Sequence, residues 1–299
     1  MTGPPDVTAD YLALRREAGA VWLARDFLRV HGPDTIGYLQ GQLSQDVDAL
    51  AVGAAADSLV LQPQGKVDAM VRVVRSAEDE VVIDVDGGYG EAVVARLTRF
   101  KLRVKADIEP LDWRCLAIRG PDAHRVQPSG GLVVAADWPG LPGVDALGED
   151  PVVPAGLRLC GRDAWEAVRI EAGIPAMGRE LTDRTIPAEA GVVERTVSFT
   201  KGCYTGQELV ARIDSRGGNV PRRLRGVVVA TNVLPPVGAA LTVGDREVGS
   251  LTSVGESLER RAPVALAYVR REVEPPAEAH VRWEGGSAPA RIEALPLVS

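Results

Sequence analysis

Histidine and cysteine are scarce in this chain, each occurring 3 times in 299 residues. His31, His124 and His280 lie far apart without metal-ligand spacing, which makes a zinc hydrolase a poor reading. Cys115, Cys160 and Cys203 are odd in number, widely spaced and lack any Cys-x-x-Cys pair. That argues against a disulfide framework and an autonomous zinc site; no tightly bound metal is expected, and a reducing compartment suits the thiols. Long apolar runs are also missing: no window approaches the ~18 uncharged apolar residues of a membrane span. Met1 to Ala20 carries charges throughout where a signal peptide would have its apolar core, so no membrane partner and a cytoplasmic location are expected. Positive charge is not in excess, and a net charge of −7 gives no global attraction to nucleic acid. Arg216, Arg222, Arg223 and Arg225 form a local basic run, which suits an anionic ligand or a solvated loop and strand entrance.

What is present is an ordinary soluble composition, 45% hydrophobic and 25% charged, enough for two or three domains with an ample core. A monomer is expected. An amphipathic stretch Tyr11 to Ala18, an apolar strand Val21 to Val30 and a helix Pro33 to Leu43 open the chain. A hairpin follows, Ser58 to Gln62 and Val67 to Val74 around Gln62-Pro63-Gln64-Gly65, then a strand Glu80 to Asp86. Tyr89 to Phe100 has helical spacing and Arg103 to Ile108 returns to strand. Trp113 to Arg119 and Leu132 to Ala135 read as strands with a helix start at Pro121 between them, and Gly140 to Pro154 as loops or edge strands. Arg162 to Gly173 is a clear helix with Gly173 as its stop, and Ile174 to Thr200 is a long irregular segment. Beyond Asn219 short β-rich runs predict a small separate barrel or sandwich. The expected division is 1–110, 111–219 and 220–299.

Lys201 to Glu208 is the most chemically suggestive stretch. Cys203 to Asp214 predicts a helix, with Glu208 and Arg212 paired four apart and Val210 and Ile213 facing inward. Cys203 in the first turn would meet free N–H groups, the positive end of the helix dipole and the nearby Lys201, a setting that favours thiolate. The plainer alternative is a cysteine used as a small buried apolar residue.

Taken with Gly41 to Val47 and Arg169 to Pro175, this stretch resembles the YgfZ-type folate-binding proteins, relatives of the glycine cleavage system T protein (aminomethyltransferase) implicated in building or repairing iron–sulfur proteins. The specific element is Lys-Gly-Cys-Tyr-x-Gly-Gln-Glu, matched at Lys201, Gly202, Cys203, Tyr204, Gly206, Gln207 and Glu208 after Val197-Ser198-Phe199. The resemblance covers nearly the whole chain. It implies an α+β, three-domain aminomethyltransferase-like fold around a central cavity, with a ferredoxin-like middle domain and a small C-terminal β-barrel. It also implies tetrahydrofolate or a one-carbon derivative as cofactor. Glu171 matches a glutamate that hydrogen-bonds the pterin ring, as a carboxylate can by accepting two N–H bonds; the alternative is an ordinary helix carboxylate paired with a neighbour. Arg169, Tyr204, Gln207, Gln42 and Asp46 are the supporting folate contacts, the last two on an early helix expected to line the same cavity, although Asp46 equally suits a turn.

One departure bears on mechanism. Aminomethyltransferases carry two consecutive acidic residues after the turn that matches Gly65, and here Ala69 and Met70 take those places, with Asp68 one residue early on the opposite strand face. Without that carboxylate, one-carbon transfer loses its expected proton catalyst. Lys66 is a turn lysine or an anion contact. The expected function is therefore a tetrahydrofolate-binding accessory protein for iron–sulfur cluster assembly, maintenance or repair, partnered by iron–sulfur client enzymes or assembly factors, with Cys203 and Lys201 as its chemical centre. A cluster needs about four ligands, so one cysteine can supply only part of a set. A folate-dependent one-carbon transferase and a non-catalytic folate-binding protein are the alternatives.

Overall fold

The computed structural model describes residues 6–299. Helix α1 (Val7–Arg16) starts where the Asp6 side chain accepts the Ala9 N–H at 3.0 Å, a standard N-cap. It leads to β1 (Gly19–Leu23), β2 (Arg25–His31), α2 (Thr35–Gln42), β3 (Ala55–Leu61), β4 (Val67–Ala77), β5 (Glu80–Asp86), α3 (Gly90–Arg99) and β6 (Asp107–Leu111). Next come β7 (Arg114–Arg119), β8 (Leu132–Ala135), β9 (Gly143–Gly148), β10 (Arg158–Leu159) and α4 (Arg162–Ala172). The short helices α5 (Pro187–Ala190) and α6 (Val193–Thr196) precede α7 (Gln207–Ser215). The chain ends in β11 (Arg222–Val229), β12 (Ala240–Val243), β13 (Arg246–Ser257), β14 (Ala262–Arg270), β15 (Ala277–Trp283) and β16 (Gly286–Glu293).

These strands form two five-stranded sheets, ordered β3-β4-β5-β2-β6 and β10-β1-β7-β9-β8, and a closed barrel, β11-β14-β13-β12-β15-β16. Within the first sheet β2-α2-β4-β5-α3-β6 follows the ferredoxin-like βαββαβ pattern, with β3 added at the edge; the ferredoxin-like unit thus lies at residues 25–111. The apolar run Val21 to Val30, read as one strand, is two, parting at Ala24 to enter different sheets. Because β1 pairs with β7 and β10, the second sheet draws on both sides of residue 110. The Gly140 to Pro154 stretch holds β9, an interior strand between β7 and β8, buried along its whole length. Pro121 precedes only a single 3₁₀ turn, Ala123–Arg125.

Helix α4 is the pivot of the molecule. It packs on α1 and on β13 of the barrel, where Gly255 leaves room: a Cβ there would lie 3.3 Å from the Ala167 Cα. Gly173 ends α4 at φ +75°, a left-handed cap whose N–H bonds the Arg169 and Ile170 carbonyls. The main apolar cluster joins the first sheet, α2, α3 and α4 to β14 of the barrel, including Leu39, Leu97, Ile170 and Leu266.

Candidate functional site

The predicted site residues fall into three places. The first surrounds the end of α2. An α-helix leaves its last carbonyls without intrahelical partners, and Lys201 supplies donors: its Nζ lies 2.7 Å from each of the Gln40, Leu43 and Gln45 carbonyls. Burial pushes the Lys201 ammonium down to about 8, with Asp46 pulling the other way. The Tyr204 ring lies 5.2 Å from that ammonium, and burial raises its phenol to about 12. Backbone bonds Ser198 N–H to Ser44 O and Thr205 N–H to Gly41 O pin both ends of the loop. Gln207 accepts the Tyr204 N–H at 3.0 Å, and Asp46 accepts from Gln40 and Ala49, which hold its carboxyl below the usual range. The Gln42 side chain accepts from Arg96, which also pairs with Asp68.

Helix α7 starts at Gln207, behind Gly206 at φ +81°. The expectation that Cys203 occupies its first turn is therefore corrected: Cys203 is exposed on the preceding loop, and the dipole argument for it lapses. The turn formed by Gly206 displaces the helix start, because a positive φ cannot continue into a helix. Lys201 is likewise a structural clamp, since its three N–H bonds are all committed to backbone. The Glu208–Arg212 pair and buried Val210 fit the expectation. Gly206 packs directly on the hairpin turn, for a Cβ on it would lie 2.5 Å from the Gln62 carbonyl and 3.3 Å from the Gly65 Cα.

The second place is Glu171. Its carboxylate is completely buried and accepts from the Tyr11 hydroxyl and from Arg15 Nε and Nη2. It ties α4 to α1 with both oxygens engaged and is absent from the lining of the cavity described below, against the expectation that it meets a pterin ring. Burial, followed by the Glu171 hydrogen bond, raises the Tyr11 phenol to about 12.

The third place is a cavity of about 540 Å³ between the two sheets and α4. One stripe of α4, Arg162, Trp165, Glu166 and Arg169, lines it at helical spacing. Of the predicted residues only Arg169 reaches it. Its guanidinium donates to the Ile174 carbonyl, Glu180, Glu166 and Ser253. Gln42 and Asp46 are absent from its lining, against the expectation that their helix borders it. A ladder of charges crosses the space between the sheets. Arg72 donates to Asp84 at 2.8 Å and to Asp145 at 2.6 Å, and Asp145 also takes Arg119 at 2.6 Å. Arg25 pairs with Asp84 and Asp86. Burial opposes the Asp145 charge, but Arg119 and Arg72 outweigh it and hold the carboxyl at about 2. The same burial pushes the Cys115 thiol behind the ladder up to about 12, and that of Cys160, on the cavity wall, equally to about 12.

Arg119 also lies over both Trp138 and Trp165, at 4.7 and 5.1 Å from their rings, which are 4.6 Å apart. Two indoles, several guanidiniums and Asp57 give the cavity both flat apolar faces and charges of either sign, as suits a planar heterocycle with an acidic appendage. Sequence reading missed Arg72, Arg119, Asp145, Asp57 and the tryptophans. Their signal was the run of charges at alternate positions in strands otherwise apolar enough to be buried, such as Asp84 and Asp86 in β5.

A two-sheet α+β unit with a cavity between its sheets and a closed barrel docked on its pivot helix is the architecture of the aminomethyltransferase-like proteins. Residues 222–299 match the glycine cleavage T-protein C-terminal barrel domain. An aminomethyltransferase of Streptomyces avermitilis is 27% identical, covering 96% of this chain and 88% of its own. An uncharacterized protein of Haemophilus influenzae is 29% identical over 76% of this chain and 80% of its own. The crystal structure of the glycine cleavage system aminomethyltransferase T from Bartonella henselae superposes with a TM-score of 0.85 at 21% identity, covering 100% of this chain and 91% of that one. Residues 222–299 thus carry the glycine cleavage T-protein type of C-terminal barrel, and the chain as a whole has the aminomethyltransferase-like fold.

Proposed function

We propose that this chain is a tetrahydrofolate-binding accessory protein of the YgfZ type, serving iron–sulfur cluster assembly, maintenance or repair in the cytoplasm as a monomer. The observation that carries the folate half is the inter-sheet cavity, whose volume falls within the ~300–1,000 Å³ typical of small-molecule sites and whose wall joins stacked tryptophans to guanidiniums. The similarity to aminomethyltransferases over nearly the whole chain supports the same ligand. Cys203 supports the other half: it is the exposed one of the 3 cysteines, offered on a loop anchored at both ends. A thiol so placed meets a partner's cluster or disulfide without entering the cavity, so ligand binding and thiol chemistry are separable.

Two measurements test this. Tetrahydrofolate should quench the fluorescence of Trp22, Trp138 and Trp165, which line the cavity; titration without quenching or heat would remove the folate half. In cells lacking the protein, Cys203→Ala should fail to restore iron–sulfur enzyme activity while keeping folate affinity, and full restoration would remove the thiol half. A one-carbon transferase is the second reading, favoured by the aminomethyltransferases at 27% identity. Catalytic formation of methylenetetrahydrofolate from an aminomethyl donor by the purified chain would put it first.

A further inference from the structure

Outside the cavity, the segment joining α3 to β6 is set apart by its charge. Residues 96–105 hold Arg96, Arg99, Lys101, Arg103 and Lys105 with no acidic residue among them, in a chain whose net charge is −7. Two of these cations are engaged. Arg96 pairs with Asp68 and lies 4.0 Å over the Phe100 ring, and Lys101 closes the loop on the Ala106 carbonyl beside Asp107. Arg99, Arg103 and Lys105 are exposed and have no ion-pair partner among the described residues. Leu102, at 80%, is the most exposed large apolar side chain among the described residues. Arg103 holds φ +57°, a left-handed turn that glycine would adopt without strain. A cation thus stands where the backbone favours glycine, with an apolar side chain displayed beside it.

Helix α2 ties this segment to the Cys203 loop. At its N-terminal end the Asp34 N–H donates to the Lys105 carbonyl at 3.2 Å, and the Asp34 carboxylate accepts the Lys105 N–H at 2.8 Å. Along its side the Tyr38 hydroxyl donates to the Leu97 carbonyl, and Arg96 donates to Gln42. At its C-terminal end the Gly41 and Gln40 carbonyls hold Thr205 and Lys201. The helix has 8 residues, roughly 12 Å at 1.5 Å per residue. Its outer face is bare, for a Cβ on Gly37 or Gly41 would meet nothing within 4 Å. Phe199, 50% exposed, adds an apolar group shortly before Cys203.

We propose that the cationic segment 99–105, the open face of α2 and the Cys203 loop form one docking surface for a partner protein that presents an acidic face with an apolar recess. The proposal rests on the partner-facing role given to Cys203 above and says what brings a partner to that thiol. Opposite charges across an interface speed encounter and fix orientation. One partner can span both ends of α2, since a standard interface covers roughly 800 Å² a side. A membrane surface is a poorer occupant, because the segment offers Leu102 without a broad apolar face and Arg96 covers the Phe100 ring. Nucleic acid meets the opposing field of a chain at −7.

The probe is a fluorescent peptide of glutamates around a central leucine, with a glutamine version as the neutral control. Both are titrated by anisotropy into the native chain and into the triple variant Arg99→Gln, Arg103→Gly, Lys105→Gln, in which the glycine relieves the turn and so protects the fold. The native chain is expected to prefer the acidic peptide by about tenfold at low salt, the preference fading as salt rises, and the triple variant to lose it. Arg99→Lys with Arg103→Lys keeps the charge and should keep the preference. In cells lacking the protein, the triple variant should fall short in restoring iron–sulfur enzyme activity while its Cys203 still takes maleimide. An unchanged preference or full restoration in the triple variant overturns the assignment, as does tighter binding of anionic vesicles or a single-stranded oligonucleotide through the same residues. If the native chain shows no preference while Cys203→Ala fails in cells, the docking surface falls and the thiol reading stands. If Cys203→Ala restores activity yet keeps the peptide preference, the thiol reading falls and the docking surface stands.

Discussion

The loop around Cys203 and the cavity between the sheets are built on opposite plans. At the loop, side chains serve the backbone: Lys201 closes a helix end, Gln207 holds a turn and Gly206 packs on Gly65. In the cavity, side chains serve one another, through a ladder of arginines and aspartates drawn from strands far apart in sequence. A contiguous motif is thus largely scaffolding here, with the Cys203 thiol left exposed. The cavity-lining groups are dispersed and have no motif of their own.

If that contrast holds, Glu171→Ala should give the largest effect, and on stability. It leaves Arg15 buried without its carboxylate, a loss of about 3–5 kcal/mol. Urea unfolding measures it; a weakened folate affinity with native stability would restore Glu171 to the ligand site. The ladder predicts an acid window. Asp145 is held at about 2 against 3.8 when free, so its stabilisation is complete above pH ~4 and is lost as pH falls toward about 2. That amounts to about 2 kcal/mol. Urea midpoints against pH should converge for native and Asp145→Asn chains across that window, and parallel curves would place the ladder's contribution elsewhere. Lys201→Met should cost about 1–2 kcal/mol, leaving carbonyls at the end of α2 without donors. Hydrogen exchange should quicken in α2 and in 198–205 while the inter-sheet strands stay protected. Cys203→Ala comes last, with a stability change within about 0.5 kcal/mol, as for an exposed side chain away from special features. Maleimide labelling of the native folded chain should vanish with it, since Cys115 and Cys160 are buried.

Legibility followed locality. Helix α4 and its Gly173 stop, the β3–β4 hairpin and the barrel strands after residue 220 all rest on short-range signals, and all are found close to their expected positions. Strand β9 was hidden because its glycines look like turn formers. Gly143 is there for space: a Cβ would lie 2.6 Å from the Arg119 side chain, so the glycine makes room for the charge ladder. The partition of β1 from β2 depends on which sheet each joins, which no local pattern encodes. Glu171 misled for a related reason. A helix carboxylate looks the same in sequence whether it meets a ligand or, as here, an arginine from α1. The cavity was legible only as an expectation of the family resemblance, since its walls are assembled by pairing between distant strands.

The contact between Gly206 and Gly65 carries one more consequence. With no side chain on either glycine, the loop bearing Cys203 seats directly against a rigid hairpin and has little freedom left to lose. A partner that docks on this thiol therefore meets a preformed surface, and the entropy that an unanchored loop would surrender on association has already been paid during folding.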